Sequence, residues 1–432
     1  MLDIKLVRES PDTIRQDLRK RGLSDRLKEV DEAVALDREW RSLKKQVDDL
    51  RHRQNLLNDE VASLRRSGLE IGAKLEEVKG IPNRVKELDE RAEAAQNRLR
   101  DIMMGLPNIL DESVPVGPDD SGNVTIRTFG APKTFDFEIR DHVDVLTDLG
   151  LLDMERAAKI SGARFYFLKG EAMLLEQSIM RYALDTLVKR GFTAVAPPLM
   201  MKKEAYQGVV DLNDFGPVIY KVEGEDLYLI ATSEHPLVAM HMDEILDGQK
   251  LPLRYCGFSP NFRVEAGAHG KDTKGIFRTH QFYKVEQVVF ARPEESKALH
   301  EELIGNAEAI FQSLGLHYRV VNVCTGDMGT VAAKKYDLEA WMPVQKRFRE
   351  MVSCSNVTDY QARRLMTRYR EKPSAEPMMV HTLNSTAVTT RALVAIVENY
   401  QQADGSIVIP GPLVQYMGGR ERIGGHQPER SF

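Results

Sequence analysis

The chain has 432 residues, with 60 Lys and Arg against 65 Asp and Glu, a net charge of −5 and a hydrophobic content of 42%. This length suggests two or three domains, and the hydrophobic content excludes a wholly disordered or fibrous chain. No apolar run approaches the roughly 18 residues that a membrane span needs, and the first residues lack the apolar segment of a signal peptide. Three widely separated cysteines argue against a disulfide scaffold and fit a reducing compartment, so we expect a cytoplasmic protein.

The N-terminal third predicts a helical arm. Charged residues are concentrated there, and two apolar series repeat at heptad spacing. The first series predicts a helix over 33–66, roughly 50 Å long, and the second lies nearer residue 100. Between the two series lie four helix breakers: Gly68, Gly72, Gly80 and Pro82. We therefore expect one helix out, an irregular tip and one helix back, which together form an antiparallel coiled-coil hairpin over about 27–104.

The heptads alone leave the purpose of this arm open. They fit a dimerisation coiled coil or a solvated helical pair as well as an RNA-binding arm. Basic clusters at Lys44-Lys45, Arg51-His52-Arg53 and Arg65-Arg66 lie off the apolar seam, where they could follow a phosphate backbone. Interspersed acidic residues weaken that interpretation.

The rest of the chain predicts an α+β body. Residues 105–132 are rich in Gly and Pro, which is typical of a linker with turns. After them, β-rich stretches alternate with long helical patterns, and this favours an antiparallel or mixed sheet flanked by helices. The predicted organisation is an N-terminal helical domain at 1–110, a linker at 111–134 and a second domain at 135–432.

The segment 258–290 carries the strongest chemical signal. The sequence has no P-loop, no GxGxxG after a strand, no HExxH and no GxSxG. The segment instead predicts two strands joined by a polar loop that contains Gly267, Gly270 and Gly275. Arg263 and Glu265 are two residues apart, so they share a face of the first strand. One face of the second strand would carry Arg278, Phe282 and Glu286.

Two interpretations of this face remain open from chemistry alone. Guanidinium groups bind phosphate oxygens in a bidentate manner, and an aromatic ring can stack on a purine, so the hairpin could be a nucleotide platform. It could equally be a surface hairpin with salt bridges.

Segment 258–290 resembles motif 2 of class II aminoacyl-tRNA synthetases, specifically that of seryl-tRNA synthetases, and the resemblance extends along nearly the whole chain. Residues 164–170 are similar to the motif 1 region, which builds the dimer interface in this family. Thr232-Ser233-Glu234 resembles the TxE serine-binding loop, and 350–356 resembles the E-x-x-S-C-S-N signature. Residues 382–391, followed by Glu398-Asn399-Tyr400-Gln401, resemble motif 3. The N-terminal hairpin is similar to the family's tRNA-binding arm, and the resemblance implies a class II synthetase domain behind it.

The resemblance implies a set of roles around ATP and Mg²⁺. Arg263 would hold the α-phosphate and stabilise the transition state, Glu265 would contact the adenine amino group, and Arg278 would contact the outer phosphates. The adenine would lie between Phe282 and Arg391. The other nucleotide contacts would come from Glu350, Met351, Val352 and Ser353. Of these, Glu350 and Ser353 would ligate Mg²⁺, whose preference for hard oxygen ligands suits them.

The resemblance also implies how serine is bound. Residues 232–234 would line the pocket together with Arg263, and Glu286 would bind the substrate ammonium or hydroxyl. The hydroxyl of Thr386 would read the serine side chain. In this family that residue usually lies six positions before the motif 3 arginine, whereas Thr386 lies five before it. Ser385 is therefore the alternative, and on a helix the two choices would differ by about 100°.

The activity implied is that of an enzyme that forms seryl-adenylate from L-serine and ATP and then transfers serine to the 3′ end of tRNA(Ser), as a homodimer. One alternative is a paralogue that passes seryl-adenylate to another acceptor, such as a carrier protein. The long arm argues against it. A second alternative is a non-catalytic RNA-binding or scaffold protein, and the intact charged residues of the motifs argue against that.

Overall fold

The computed structural model describes residues 1–265 and 275–424, and it divides the chain into two compact units, Met1–Ile109 and Leu110–Phe432. The predicted loop positions Gly267 and Gly270 lie outside the described residues. Within the described ranges, no helix combines the length and the apolar character that crossing a membrane requires.

The first unit is helical and is dominated by a hairpin. Its helices are α1 (Ile4–Glu9), α2 (Pro11–Lys20), α3 (Leu27–Arg66) and α4 (Gly72–Gly105). The 40 residues of α3 correspond to about 60 Å. Apolar side chains of α3 and α4 pack together as the heptads predict, with Leu43, Val47, Leu88 and Ala92 buried. Ion pairs also join the two helices. The residue numbers of the α4 partners decrease as those of the α3 partners increase, as in an antiparallel pair: Glu32–Arg98, Glu39–Arg91, Arg51–Asp89, Arg53–Glu77 and Glu60–Lys74.

The predicted irregular tip is wrong in extent. Only Gly68 lies in the turn, in the left-handed region at φ 71°, whereas Gly72 begins α4 and both Gly80 and Pro82 lie inside it. Neighbouring Ile81 is buried, so tertiary packing offsets the cost of a proline within the helix.

The second unit is built on an eight-stranded sheet. Its strands, in sheet order, are β1 (Val124–Phe129), β10 (Tyr318–Asn322), β11 (Lys334–Met342), β12 (Arg347–Thr358), β15 (His381–Thr389), β9 (Gln281–Ala291), β8 (Leu253–Phe262) and β4 (Thr193–Val195). Every neighbouring pair is antiparallel except β4 and β8. The predicted α+β class with a mainly antiparallel sheet is therefore confirmed.

Shorter elements complete this unit. The remaining strands form small pairings: β2 (Leu152–Asp153), β3 (Phe167–Leu168), β5 (Met200–Met201), β6 (Tyr228–Leu229), β7 (Ile245–Asp247), β13 (Arg368–Arg370), β14 (Met378–Met379), β16 (Ile407–Val408) and β17 (Arg422–Ile423). The helices are α5 (His142–Asp148), α6 (Met154–Ser161), α7 (Gly170–Lys189), α8 (Lys203–Val209), α9 (Leu212–Phe215), α10 (Glu234–Ala239), α11 (Ser296–Ser313), α12 (Tyr360–Leu365), α13 (Arg391–Tyr400) and α14 (Gly411–Val414).

The predicted linker 111–134 contains an edge strand of the main sheet. Its residues 124–129 form β1, which pairs antiparallel with β10. The run Val-Thr-Ile-Arg-Thr-Phe is rich in β-branched and aromatic residues, and pairing satisfies the backbone groups that β10 would otherwise expose. The Gly/Pro-rich composition therefore describes only the turns before this strand.

Alternate residues of the central strand β9 face two different sides of the sheet. Val285 and Val289 belong to the large apolar core that also includes residues of α7, α11 and α13. Val288 and Phe290 belong to a smaller core that includes residues of α8, α10 and α12. The even-numbered side chains of β9 therefore lie on the sheet face opposite the large core.

We predict that Leu88→Ala weakens the arm. Leu88 is 1% exposed between the two helices, and removing a buried leucine costs about 2–5 kcal/mol. Amide hydrogen exchange of α3 and α4 in the full chain should become faster. Leu56→Ala, at a leucine of α3 that is 45% exposed, is the control and should change local stability by less than about 0.5 kcal/mol. Equal effects of the two substitutions would contradict the packing described for the hairpin.

Candidate active site

Two adjoining cavities open on the face of the sheet that the even-numbered residues of β9 share. The first measures about 230 Å³ and the second about 370 Å³. Both are lined by Arg263, Lys284, Glu350 and Ser353. The first cavity is completed by Glu265, Ile276, Phe277, Arg278, Thr279, Phe282, Met351, Thr386, Thr389, Thr390 and Arg391. The second is completed by apolar residues, including Val209, Val210, Phe215 and Val357, and by polar residues, including Thr232, Glu234, His235, Glu286, Lys335, Ser355 and Asn384.

Strand β9 supplies three side chains to the two cavities. Phe282, Lys284 and Glu286 lie two residues apart and alternate with the apolar core positions. Lys284 was not among the predicted site residues, although its even spacing from Phe282 and Glu286 is the signal that identifies it. The expectation that Arg278 lies on the same strand is wrong, because β9 begins at Gln281.

Arg263 and Glu265 also lie outside a strand, contrary to the prediction, because β8 ends at Phe262 and Glu265 has a left-handed φ of 52°. They nevertheless reach the same cavity as Arg278. The guanidinium of Arg278 forms an ion pair with the Glu265 carboxylate. The antiparallel pairing of β8 with β9, rather than alternation along one strand, therefore brings these residues together.

Three guanidinium groups line the first cavity, those of Arg263, Arg278 and Arg391. Arg263 donates from Nε to the carbonyl oxygen of Ala231 at 3.3 Å, and its guanidinium lies 5.1 Å from the Phe282 ring centroid. Burial, followed by the positive charge of Arg391, lowers the pKa of Arg263. An anion bound between these cations would relieve their repulsion, which is the electrostatic requirement of a phosphate site.

Arg391 lies at the start of α13 and contacts a ring that the sequence did not indicate. Its guanidinium lies 4.8 Å from the Phe277 ring centroid, and Nη1 donates to the Glu350 carbonyl oxygen at 2.8 Å. Phe282, which the resemblance places on the other side of the adenine from Arg391, lies beside Arg263. Phe277 was not predicted because it lies before the strand and follows no periodic pattern.

The second cavity contains buried carboxylates. Lys284 Nζ donates to Thr232 Oγ1 at 3.0 Å and forms an ion pair with Glu286. Burial raises the pKa of Glu286 to about 7 although the charge of Lys284 opposes the shift. Burial also raises the pKa of Glu234, whose Oε1 accepts hydrogen bonds from Gln361 and from Asn384. These carboxylates suit a ligand that brings positive charge and hydrogen-bond donors.

Two of the predicted site residues have structural contacts. Ser233 is fully buried, and its hydroxyl donates to the Gly257 carbonyl oxygen at 3.2 Å. The close approach depends on glycine, because a Cβ at position 257 would lie 2.9 Å from Ser233 Cβ. Val352 is 1% exposed and belongs to the large apolar core.

Register distinguishes Thr386 from Ser385. Both lie on β15 and not on a helix, so one step along the chain reverses the direction of the side chain. Thr386 pairs with Glu286, hydrogen-bonds its carboxyl group and lines the first cavity. Ser385 pairs with Gln287 and is fully buried, with its hydroxyl donating to the carbonyl oxygen of Thr386 at 3.0 Å.

A β-bulge brings Glu350 and Ser353 together. Residues three apart on a regular strand face opposite sides, but the pairing of β12 with β11 shifts between Val352 and Glu350, leaving Met351 as the extra residue. Both Glu350 and Ser353 consequently line both cavities. Desolvation opposes ionisation of Glu350, but the charges of Arg391 and Lys335 lower its pKa below the ordinary value. An ionised carboxylate and a hydroxyl between the cavities fit a hard divalent cation.

Thr390 connects the first cavity to helix α7. Its hydroxyl donates to Glu176 Oε1 at 2.6 Å and accepts from the Tyr283 backbone N–H at 3.0 Å. Glu176 is buried, and burial raises its pKa to about 6.

Family models and curated proteins match this chain over most of its length. The model of the tRNA synthetase class II core domain (G, H, P, S and T) matches residues 220–400, and that of the Seryl-tRNA synthetase N-terminal domain matches residues 1–110. A serine--tRNA ligase of Methanoregula boonei is 54% identical, with 98% of this chain and 100% of the relative covered. That of Pyrococcus horikoshii is 49% identical, with 100% and 99% covered.

Solved structures agree with these matches. The crystal structure of seryl-tRNA synthetase from Pyrococcus horikoshii complexed with ATP has a TM-score of 0.95 at 49% identity, covering 99% of this chain and 100% of that one. The cytoplasmic serine-tRNA ligase of Naegleria fowleri in complex with AMP has a TM-score of 0.89 at 35% identity, with 98% of each chain covered. The fold is thus that of a class II aminoacyl-tRNA synthetase. More narrowly, the chain belongs to the seryl-tRNA synthetase family.

We predict that Glu176→Gln changes how stability depends on pH. A carboxyl group whose pKa rises from 4.5 to about 6 on folding stabilises the fold below pH 4.5, and this contribution is lost as the pH rises through 6. Relative to the variant, the parent protein should lose about 2 kcal/mol of unfolding free energy between pH 4 and pH 7. Urea unfolding at both pH values measures this difference, and a difference that does not vary with pH would contradict the raised pKa.

Proposed function

We propose that this chain activates L-serine with ATP to form seryl-adenylate and pyrophosphate, and then transfers serine to the 3′ end of tRNA(Ser). One observation carries the proposal. A cavity with aromatic rings and guanidinium groups adjoins a cavity with buried carboxylates, and Arg263 lines both. A nucleotide in the first and an amino acid in the second would meet at that residue.

ATP occupies the first cavity in this proposal. Arg263 holds the α-phosphate, Arg278 the outer phosphates and Glu265 the adenine amino group, while Phe282 and Arg391 enclose the adenine. The Arg278–Glu265 ion pair opens when the nucleotide binds, since each partner then has a contact of its own. The serine carboxylate attacks the α-phosphorus in line, and negative charge develops on the phosphate oxygens. Fixed cations stabilise that charge without a proton transfer from the protein.

Glu350 and Ser353 are the residues that would hold Mg²⁺, with the nucleotide contact extended by Met351. When bound, the ion supplies positive charge to the phosphate oxygens. The lowered pKa of Glu350 supports this assignment because the ionised carboxylate is the form that ligates a cation.

Serine occupies the second cavity in this proposal. Glu286 and Glu234 accept from its ammonium group, and Thr232 lines the pocket. Thr386, which lines the first cavity and hydrogen-bonds Glu286, binds the serine hydroxyl where the two cavities adjoin. Lys284 holds Glu286 when no amino acid is present, so the incoming ammonium competes with an internal cation. Burial makes each of these polar contacts selective, because an analogue without the hydroxyl leaves a buried group unpaired.

The arm of the first unit binds tRNA(Ser) in this proposal, through backbone phosphates and shape rather than base sequence. The apolar seam of its two helices is used within one chain, which leaves the charged faces for a partner. The match of the N-terminal family model over residues 1–110 favours a tRNA acceptor over a carrier protein. A homodimer and a cytoplasmic location stay predictions from the family resemblance.

Amino-acid-dependent ATP–pyrophosphate exchange across all twenty amino acids tests the proposal, with charging of total tRNA on the same preparation. Serine alone should stimulate exchange, and charging should follow. Exchange without charging would favour the carrier-protein alternative. If none of the twenty amino acids stimulated exchange, both enzymatic hypotheses would be refuted.

We predict that Arg263→Ala lowers serine-dependent exchange by about 10³-fold, since it removes a positioned cation from the site of charge development. Binding of tRNA should stay close to that of the parent protein. Arg254→Ala is the matched control, because Arg254 lies on β8 and pairs with Glu302 at the surface. Similar losses in both variants would contradict the role of Arg263.

We predict that Thr386→Val reduces discrimination between serine and alanine by about 10-fold or more, because the substrate hydroxyl loses a buried partner. Ser385→Ala should leave discrimination unchanged and affect stability only. The ratio of kcat/KM for the two amino acids in the exchange assay decides between them. The reverse pattern would assign the serine hydroxyl to Ser385.

A further inference from the structure

A buried histidine–carboxylate pair lies behind the first cavity. His142 at the start of α5 and Glu398 near the end of α13 are joined by Nδ1 and Oε1 at 2.8 Å, and their side chains are 5% and 1% exposed. Glu398 belongs to the Glu-Asn-Tyr-Gln signature of motif 3, yet the roles proposed above leave both residues unused.

The other ring nitrogen of His142 holds the backbone of motif 2. The N–H of Ile276 donates to His142 Nε2 at 3.2 Å. An acceptor nitrogen carries no proton, so the proton of the neutral ring lies on Nδ1 and is donated to Glu398. The carboxylate thereby fixes the tautomer that the backbone N–H requires.

Gly275 shows how closely the chain approaches this ring. Its φ is 98°, and a Cβ at this position would lie 2.4 Å from His142 Nε2. A side chain at 275 would therefore displace the histidine or the backbone. The contact between Ile276 and His142 therefore depends on the glycine at position 275 as well as on the histidine.

Helix α13 reaches the same segment by a second route. Arg391, its first residue, donates from Nε to the Phe277 carbonyl oxygen at 3.3 Å and lies over the Phe277 ring. Seven residues later, Glu398 reaches Ile276 through His142. One helix thus holds residues 275–277 at two points.

We propose that His142, oriented by Glu398, is a positioning residue for ATP, an inference that rests on the proposed function. It fixes Ile276, and through the chain it fixes Phe277 under Arg391 and Arg278 at the cavity wall. Neither His142 nor Glu398 touches the nucleotide. Their effect is on the placement of the residues that do.

Three variants test this in the exchange assay. His142→Leu removes the acceptor and should raise KM for ATP by about 10- to 100-fold, with KM for serine changed less than about 3-fold. His142→Gln offers a carbonyl oxygen to the Ile276 N–H and should recover most of the ATP affinity. Tyr400→Phe, which removes a 2.6 Å hydrogen bond from Tyr400 to Leu314 at the end of the same helix, should leave KM for ATP unchanged.

Equal increases in both KM values, or no recovery in His142→Gln, would overturn the inference. Amide hydrogen exchange at Ile276 supplies a readout independent of catalysis. Exchange should be at least about 10-fold faster in His142→Leu than in the parent protein and slow again in His142→Gln. A parent protein that shows no serine-dependent ATP–pyrophosphate exchange would refute the proposed function. Unchanged amide hydrogen exchange at Ile276 in His142→Leu would refute the positioning role of His142.

Discussion

The alternation of side chains along β9 is the constraint on which the second unit depends. The strand lies between β8 and β15, so its register is fixed on both edges. Val285 and Val289 enter the large core, while Phe282, Lys284 and Glu286 face the cavities. A slip of one residue would bury two charged groups in apolar surroundings and remove the site at the same time. Core packing therefore holds the chemical residues in place.

Much of the fold follows from periodicity. The heptads predicted the α3–α4 hairpin, and the mixed pattern behind it predicted a mainly antiparallel sheet. The sequence did not reveal β1, because its six residues follow a stretch whose Gly and Pro content dominates any local window. Nor did it predict that Pro82 lies within α4. In α4, packing against residues distant in sequence outweighs the low helix propensity of proline. A short window of sequence carries no information about such packing.

Periodicity also predicted part of the site. Phe282 and Glu286 follow a two-residue period, and Lys284 was recoverable from it. Arg263 and Arg278 were found through the motif, although neither occupies the strand expected for it. Phe277 has no periodic signal, since its position results from contacts with Arg391 and, through Ile276, with His142. Contacts between residues far apart in sequence set such positions, so only the folded chain reveals them.

The bulge at Met351 has a consequence for how this protein tolerates change. Deleting that single residue would restore regular pairing between β11 and β12, which the sheet accommodates readily. Glu350 and Ser353 would then lie two residues apart, so the two oxygen ligands would stay on one face of the regular strand. Such a chain would nevertheless be less stable, because Met351 is 2% exposed and belongs to the large apolar core. The loss of Met351 would therefore lower stability, whereas the common orientation of the two ligands would be kept.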